Sequence, residues 1–216
     1  MASTPSQKPS LRARHAEVTR SAILDAARRL FAEQGYAATA VRPIAEEAGV
    51  AVQTLYSTFG SKQGLLLALV ETVRAQAQSQ ELGDKIVRSD DPREMVRLAA
   101  QIRRRTMELG GDVVAAFREG AAADPEVAAA YEETHRLTRE GVGRFCARLQ
   151  TVGALRSGLT HQRAVDQVAA MFSAEIYEEL TGPRSGWSPD EYERWLAERL
   201  AEILLRGESE GRTSAG

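Results

Sequence analysis

The stretch that most constrains this chain runs from Thr19 to Leu66, TRSAILDAARRLFAEQGYAATAVRPIAEEAGVAVQTLYSTFGSKQGLL. Its apolar residues recur at helical spacing, and its glycines divide it into one long and two short helices before a fourth begins. Ile23, Ala27, Leu30 and Phe31 form one stripe of a first helix expected from about Ala16 to Gln34, with Gly35 as its left-handed cap. A short helix follows near Arg42 to Ala48. Pro43 is tolerated there because the first turn has no intrahelical partner for the missing N–H. Gly49 permits the positive φ of a tight turn, a third helix spans about Val52 to Phe59, and Ser61 caps a fourth from Lys62 to about Gln80.

Two short helices joined by a tight turn make a helix-turn-helix, whose second helix is anchored on one side and exposed on the other so that it can enter a DNA major groove. Leu55 and Phe59 point one way, into packing with Ile44, Ala45, Ala48 and the first helix. Gln53, Tyr56 and Ser57 share the other face. Gln53 has the donor and acceptor that pair with an adenine edge. The Tyr56 hydroxyl and Lys62 are placed for phosphates, which position a protein without reading sequence.

Charge distribution agrees with that division. The chain carries 28 Lys/Arg and 30 Asp/Glu, a net charge of −2. Residues 1–62 hold eight basic and five acidic side chains; the other 20 basic and 25 acidic residues lie beyond. A mildly basic head on an acidic body puts the favourable potential at one end. The single cysteine, Cys146, excludes an intrachain disulfide and fits a reducing compartment. No apolar run is long enough to span a bilayer and the first residues lack a signal-peptide core, so a soluble cytoplasmic protein without a membrane partner is expected.

Helical periodicity continues to the C-terminus without a strand pattern. Expected helices run from Asp91-Pro92 to about Leu109, Asp112 to Ala122, Asp124-Pro125 to about Val152, Thr160 to Leu180, and Ser188-Pro189 to Arg206. The fold class is all-α with about nine helices: an N-terminal three-helix DNA-binding domain joined to a helical ligand-binding and dimerisation domain. The expected organisation is a flexible basic arm over 1–14, the helix-turn-helix domain over 15–62, the helical body over 63–206 and a polar, flexible tail over 207–216.

Gly35-Tyr36, Ile44-Ala45, Ala48-Gly49-Val50, Thr54-Leu55-Tyr56, Phe59 and Ser61-Lys62 together resemble the signature of the tetracycline-repressor (TetR) family of transcriptional regulators. The resemblance covers about fifty residues. The rest is similar in helical layout, and GWSPDEYERWLAERLAEILL looks like a final helix of one branch. The resemblance implies an all-helical homodimer that binds a palindromic double-stranded operator and releases it when a small molecule enters the C-terminal domain. Carried over by position, it places Arg42, Val52, Gln53, Thr54, Tyr56, Ser57 and Lys62 on DNA. Val52 fits core packing and a thymine-methyl contact equally well. Ala40 and Ala51 depart from the pattern, standing where Ser or Thr usually caps each short helix; each absent cap costs about 1 kcal/mol, with Thr39 as a partial substitute at the first site.

Candidates for a sensor pocket are Met107, Phe117, Tyr131, His135, Phe145, Met171 and Phe172, an apolar set with a few polar handles. Cys146 reads as core or pocket wall rather than sensor. The Arg103-Arg104-Arg105 run reads as a solvated face rather than an anion clamp, since three consecutive residues cannot share one helix face. Val165, Val168, Phe172, Ile176 and Leu180, with Trp195, Leu196, Leu200 and Ile203, form two stripes suited to a four-helix dimer interface. His15, His135 and His161 have no ligand-spaced partners, so neither a metal nor another cofactor is expected. No nucleophile, base and orienter recur together, and an enzyme is not expected. The function expected is a ligand-responsive repressor. The alternatives are an activator, a ligand-independent regulator, or a small-molecule-binding or interaction protein of the same fold that does not bind an operator.

Overall fold

The computed structural model describes residues 11–206. Ten helices follow one another: α1 Leu11–Gln34, α2 Val41–Glu47, α3 Val52–Phe59, α4 Lys62–Gln76, α5 Ser79–Arg88, α6 Pro92–Ala123, α7 Pro125–Thr151, α8 His161–Met171, α9 Ala174–Thr181 and α10 Pro189–Leu204. Among the described residues no strand forms; an isolated antiparallel bridge joins Leu155 to Leu205. The expected tail, and residues 1–10 of the expected arm, lie outside the described residues. Residues 11–14 belong to α1.

The expected helix starts are observed where a side chain and a proline act together. Asp91 accepts from Arg93 N, Asp124 accepts from Glu126 N, and Ser188 forms a reciprocal capping box with Glu191, each just before a proline. Two expectations need correction, and ten helices replace the expected nine. The fourth helix stops at Gln76, because Gln78 turns left-handed (φ 53°) and a separate α5 follows. Only Leu82 and Ile86 of α5 are buried, too sparse a stripe to stand out in polar sequence. The helices expected at 91–109 and 112–122 follow one another within α6, and the break expected between them is present as the non-helical Gly110 (φ −155°, ψ 28°), where the two arms meet at a kink. The helix expected over Thr160–Leu180 is two, because the Ser173 hydroxyl accepts from Ile176 N and starts α9.

Two apolar clusters hold the chain together. The head cluster gathers Ile23, Ala27, Phe31, Ile44, Ala45 and Leu55 with Leu65, Leu66, Leu69 and Val73 of α4. The body cluster gathers Met95, Met107, Phe145, Leu149, Val168, Leu196 and Leu200. Helix α6 serves both: its first half lies in the body cluster, whereas Val113, Ala116 and Phe117, past the kink, lie in the head cluster. The two arms of α6 therefore pack in both body and head.

Candidate nucleic-acid interface

The helix-turn-helix is built from α2, a turn at Ala48–Val50 with Gly49 at φ 69°, and α3. Leu55 is wholly buried and anchors α3, while Phe59 is half-buried with the Arg20 guanidinium 4.9 Å above its ring. The opposite face of α3 is open: Gln53 and Ser57 are exposed, and Tyr56 is 43 % exposed. An exposed tyrosine of that size beside a glutamine gives one apolar ring, a hydroxyl and an amide on a single helical face. Thr54 is half-buried, and its carbonyl accepts from the hydroxyls of both Ser57 (2.9 Å) and Thr58 (2.7 Å). Arg42 is exposed at α2 and pairs with Glu46 at 2.9 Å, an i,i+4 surface pair worth little in water and readily exchanged for a phosphate. Val52 is half-buried against the head cluster, which accounts for the core side of its two expected roles.

Ala40 and Ala51 are the N-cap residues of α2 and α3, and neither helix has a side-chain cap. Thr39 does not substitute. It is buried, and its hydroxyl donates to Gly35 O at 2.7 Å and Leu30 O at 3.2 Å, closing the end of α1 instead.

Lys62 has partners within the head that its position in the sequence did not suggest. Its ammonium donates to Tyr36 O at 2.9 Å and Thr39 O at 3.1 Å, and sits 4.2 Å from the centre of the Tyr36 ring. Partial burial pulls its pKa below the usual lysine value. Most of its donor capacity thus holds the α1–α2 connection to the start of α4.

Sequence reasoning missed the contacts that join head to body, because the partners lie more than eighty residues apart. The Arg28 guanidinium makes a bidentate pair with Asp112 (2.6 and 2.9 Å) and donates to Leu109 O at 2.7 Å, the carbonyl just before the α6 kink. Glu119 accepts from the backbone N–H groups of Tyr36 and Ala37, both at 3.0 Å, at the end of α1. Gly35 is at φ 80°, and a Cβ there would lie 2.6 Å from Glu119 Oε2, so glycine satisfies both the turn and the approach of α6.

The pocket candidates do not line one chamber. Met107 and Phe145 are buried in the body cluster, with Met171 and Phe172 half-buried against it. Phe117 is buried in the head cluster and Tyr131 packs on it, because the second half of α6 belongs to the head. His135 is exposed, stacked edge-on against Tyr131 at 4.4 Å. Cys146 is fully buried in the body core, which pushes its thiol up to about 12. The dimer stripes divide similarly. Val165, Val168, Leu196 and Leu200 fill the core of the single chain and leave nothing for a partner. Phe172, Ile176, Leu180, Trp195 and Ile203 remain half-buried.

The architecture is a short helix-turn-helix head joined through the kinked α6 to an all-α body. Residues 23–69, the helix-turn-helix head, match the family of bacterial regulatory proteins, tetR family. An uncharacterised HTH-type transcriptional regulator of Bacillus subtilis, YvkB, is 46% identical over 52 residues, which are 24% of this chain and 28% of that relative's length. The likeness of the body is one of fold. NalD, the secondary repressor of the MexAB-OprM multidrug efflux pump in Pseudomonas aeruginosa, superposes with a TM-score of 0.71 at 23% identity, covering 88% of this chain and 98% of that one. The SmeT–triclosan complex gives 0.73 at 21% identity over 88% and 93% of the two chains. FadR from Bacillus subtilis with stearoyl-CoA gives 0.71 at 19% over 85% and 98%. Among the described residues no helix is long and apolar enough to cross a membrane.

Proposed function

We propose that this chain is a DNA-binding transcriptional regulator, a repressor that leaves a palindromic operator when a small molecule enters its helical body. The observation that carries the reading is α3. It is an eight-residue helix pinned by Leu55, with Gln53, Tyr56 and Ser57 turned outward on a head that matches a DNA-binding family. Repression and ligand response come from the proteins of shared fold, one a repressor, others held with triclosan or stearoyl-CoA. One head reads too few base pairs for a specific site. Two heads on a two-fold axis read half-sites about 34–36 Å apart, and the half-buried apolar side chains of Ile176, Leu180, Trp195 and Ile203 supply a face for the second copy. Release follows if a ligand favours a setting of α6 that moves the Arg28 and Glu119 contacts, since a ligand shifts only states it binds unequally.

The test is fluorescence anisotropy of the full chain on duplexes from its own upstream region against a scrambled duplex of equal length. Gln53→Ala should weaken the specific complex by about 1–3 kcal/mol, roughly 5- to 150-fold, and leave the scrambled duplex unaffected. Equal affinity for both duplexes by the wild type would overturn the reading.

A further inference from the structure

The three consecutive arginines of α6 do not form a solvated face. Arg105 donates to Gln78 at 2.6 Å. Arg104 pairs with Glu108 at 3.2 Å, Asp190 at 3.0 Å and Glu193 at 3.2 Å. Arg103 is half-buried: its Nε and Nη2 are closed off from solvent and make no hydrogen bond of good geometry. The hydroxyl of Tyr192 on α10 is equally closed off and faces the Arg103 guanidinium, to which it offers only a marginal hydrogen bond. It lies within electrostatic reach of Arg103, as do Glu175 and Glu178 of α9. Those two carboxylates are held by another cation, however: Arg118 pairs with Glu175 at 2.5 Å and with Glu178 at 3.6 Å.

A guanidinium stays protonated at neutral pH even where burial lowers its pKa, as it does for Arg103. A guanidinium with two nitrogens closed off from water and no carboxylate hydrogen-bonded to it is costly to keep. The surroundings describe what would complete it. Tyr192 is fully buried, with its ring edge-on to Tyr177 at 4.8 Å and 6.1 Å from Trp195, which meets Trp187 at 6.0 Å. The wall on this side is α9, eight residues long, with non-helical backbone on either side and only Ala174 and Tyr177 buried. Two surface hollows lie elsewhere: one is lined by Gln150, Leu155 and Arg206, and the other includes Val96 and Ala201 between α6 and α10.

We infer that Arg103 and Tyr192 form the anion-recognising end of the effector site, and that the effector is an organic anion, a carboxylate or phosphate on a flat apolar body. The inference rests on the reading of the body as a ligand-binding domain. The anion accepts hydrogen bonds from the guanidinium and the phenol, and the apolar part stacks among Tyr177, Tyr192 and Trp195 after α9 moves aside. Arg103 lies two turns before Gly110, so an occupant here acts on the same helix that Arg28 and Glu119 tie to the head.

The experiment is thermal unfolding of the full chain, wild type, Arg103→Met, Arg103→Lys and Tyr192→Phe, alone and with millimolar 2-naphthoate, its neutral amide 2-naphthamide, or inorganic phosphate. Without additive, Arg103→Met should melt about 2–4 °C above wild type, because an apolar side chain replaces a half-buried charge that has no carboxylate hydrogen-bonded to it. A fall of that size would make Arg103 a structural cation and overturn the assignment. With wild type, 2-naphthoate should raise the midpoint more than 2-naphthamide. That difference should vanish in Arg103→Met, shrink in Tyr192→Phe and persist in Arg103→Lys. Phosphate in place of naphthoate distinguishes recognition of the charged group alone. If neither anion stabilises wild type over Arg103→Met, or if acid and amide act alike, the anion site is refuted. Operator binding by the unliganded wild type is measured alongside; its failure counts against the regulator reading, while the thermal shifts alone decide the anion site.

Discussion

Replacing Lys62 with methionine separates two roles that position alone had merged. As a phosphate ligand, Lys62 would contribute one ion pair to DNA and nothing to the free head. As a clasp it donates to Tyr36 O and Thr39 O and lies over the Tyr36 ring. Hydrogen bonds from a charged donor contribute about 1.5–3 kcal/mol each, and a cation–π contact at a half-open site about 0.5–1 kcal/mol. Water reaches part of this site and Met retains the apolar stem, so the net loss should be about 2–4 kcal/mol. For a protein of this size that lowers Tm by roughly 4–16 °C. Arginine at the same position keeps the charge but not the compact ammonium, and should recover only part of the loss. Thermal unfolding followed by circular dichroism gives the first number. Anisotropy at several salt concentrations, well below the transition, gives the second. The clasp predicts weaker operator binding with an unchanged log–log salt slope, because no phosphate contact is lost. A Tm within 1 °C of wild type together with a slope lower by about 0.9 would refute the clasp and restore the phosphate role.

Three further outcomes follow from the same geometry. The Tyr36 phenol is buried without a hydrogen-bond partner, and burial pushes its pKa up to about 12 from the ordinary 10. The folded state therefore favours the protonated phenol. That contribution is complete below pH 10 and lost as pH rises from 10 to 12, so Tyr36→Phe should leave Tm at pH 7 unchanged or raised and flatten its decline above pH 10. An equally steep alkaline decline in the variant would be inconsistent with this. At Gly110 an added Cβ would lie 2.4 Å from both γ-carbons of Val73. Gly110→Ala should cost about 1–3 kcal/mol and be partly rescued by Val73→Ala in a double-mutant cycle; a raised Tm would mean that only helix propensity was at stake. Leu200 is 0% exposed within a single chain, so Leu200→Glu should abolish cooperative unfolding of the body rather than yield a folded monomer. Ile176→Glu, on the half-buried side of α9, should sediment as a folded monomer if that face is the dimer interface. A dimeric Ile176→Glu protein would place the interface elsewhere.

What the sequence determined by itself was local. Helix starts at Asp91, Asp124 and Ser188, the Gly49 turn, and the inward Leu55 against outward Gln53 and Tyr56 all follow from caps, left-handed glycines and the 3.6-residue period, which act over four residues or fewer. The all-α class and the helix-turn-helix head were legible for that reason. Tertiary structure decided how stripes were shared. Periodicity marks an apolar face but not what covers it, so Val168 and Leu200 looked like an interface and proved to be core, and Phe117 was set with the body but packs in the head. It also decided the fate of the charges. Arg103, Arg104 and Arg105 are neighbours in sequence, yet a helix turns each about 100° from the last. One therefore reaches acids on α10, one reaches Gln78, and one turns two of its nitrogens away from water beside Tyr192. Arg28 meets Asp112 and Glu119 meets Tyr36 only because α6 crosses from one cluster to the other, a proximity that no spacing along the chain encodes.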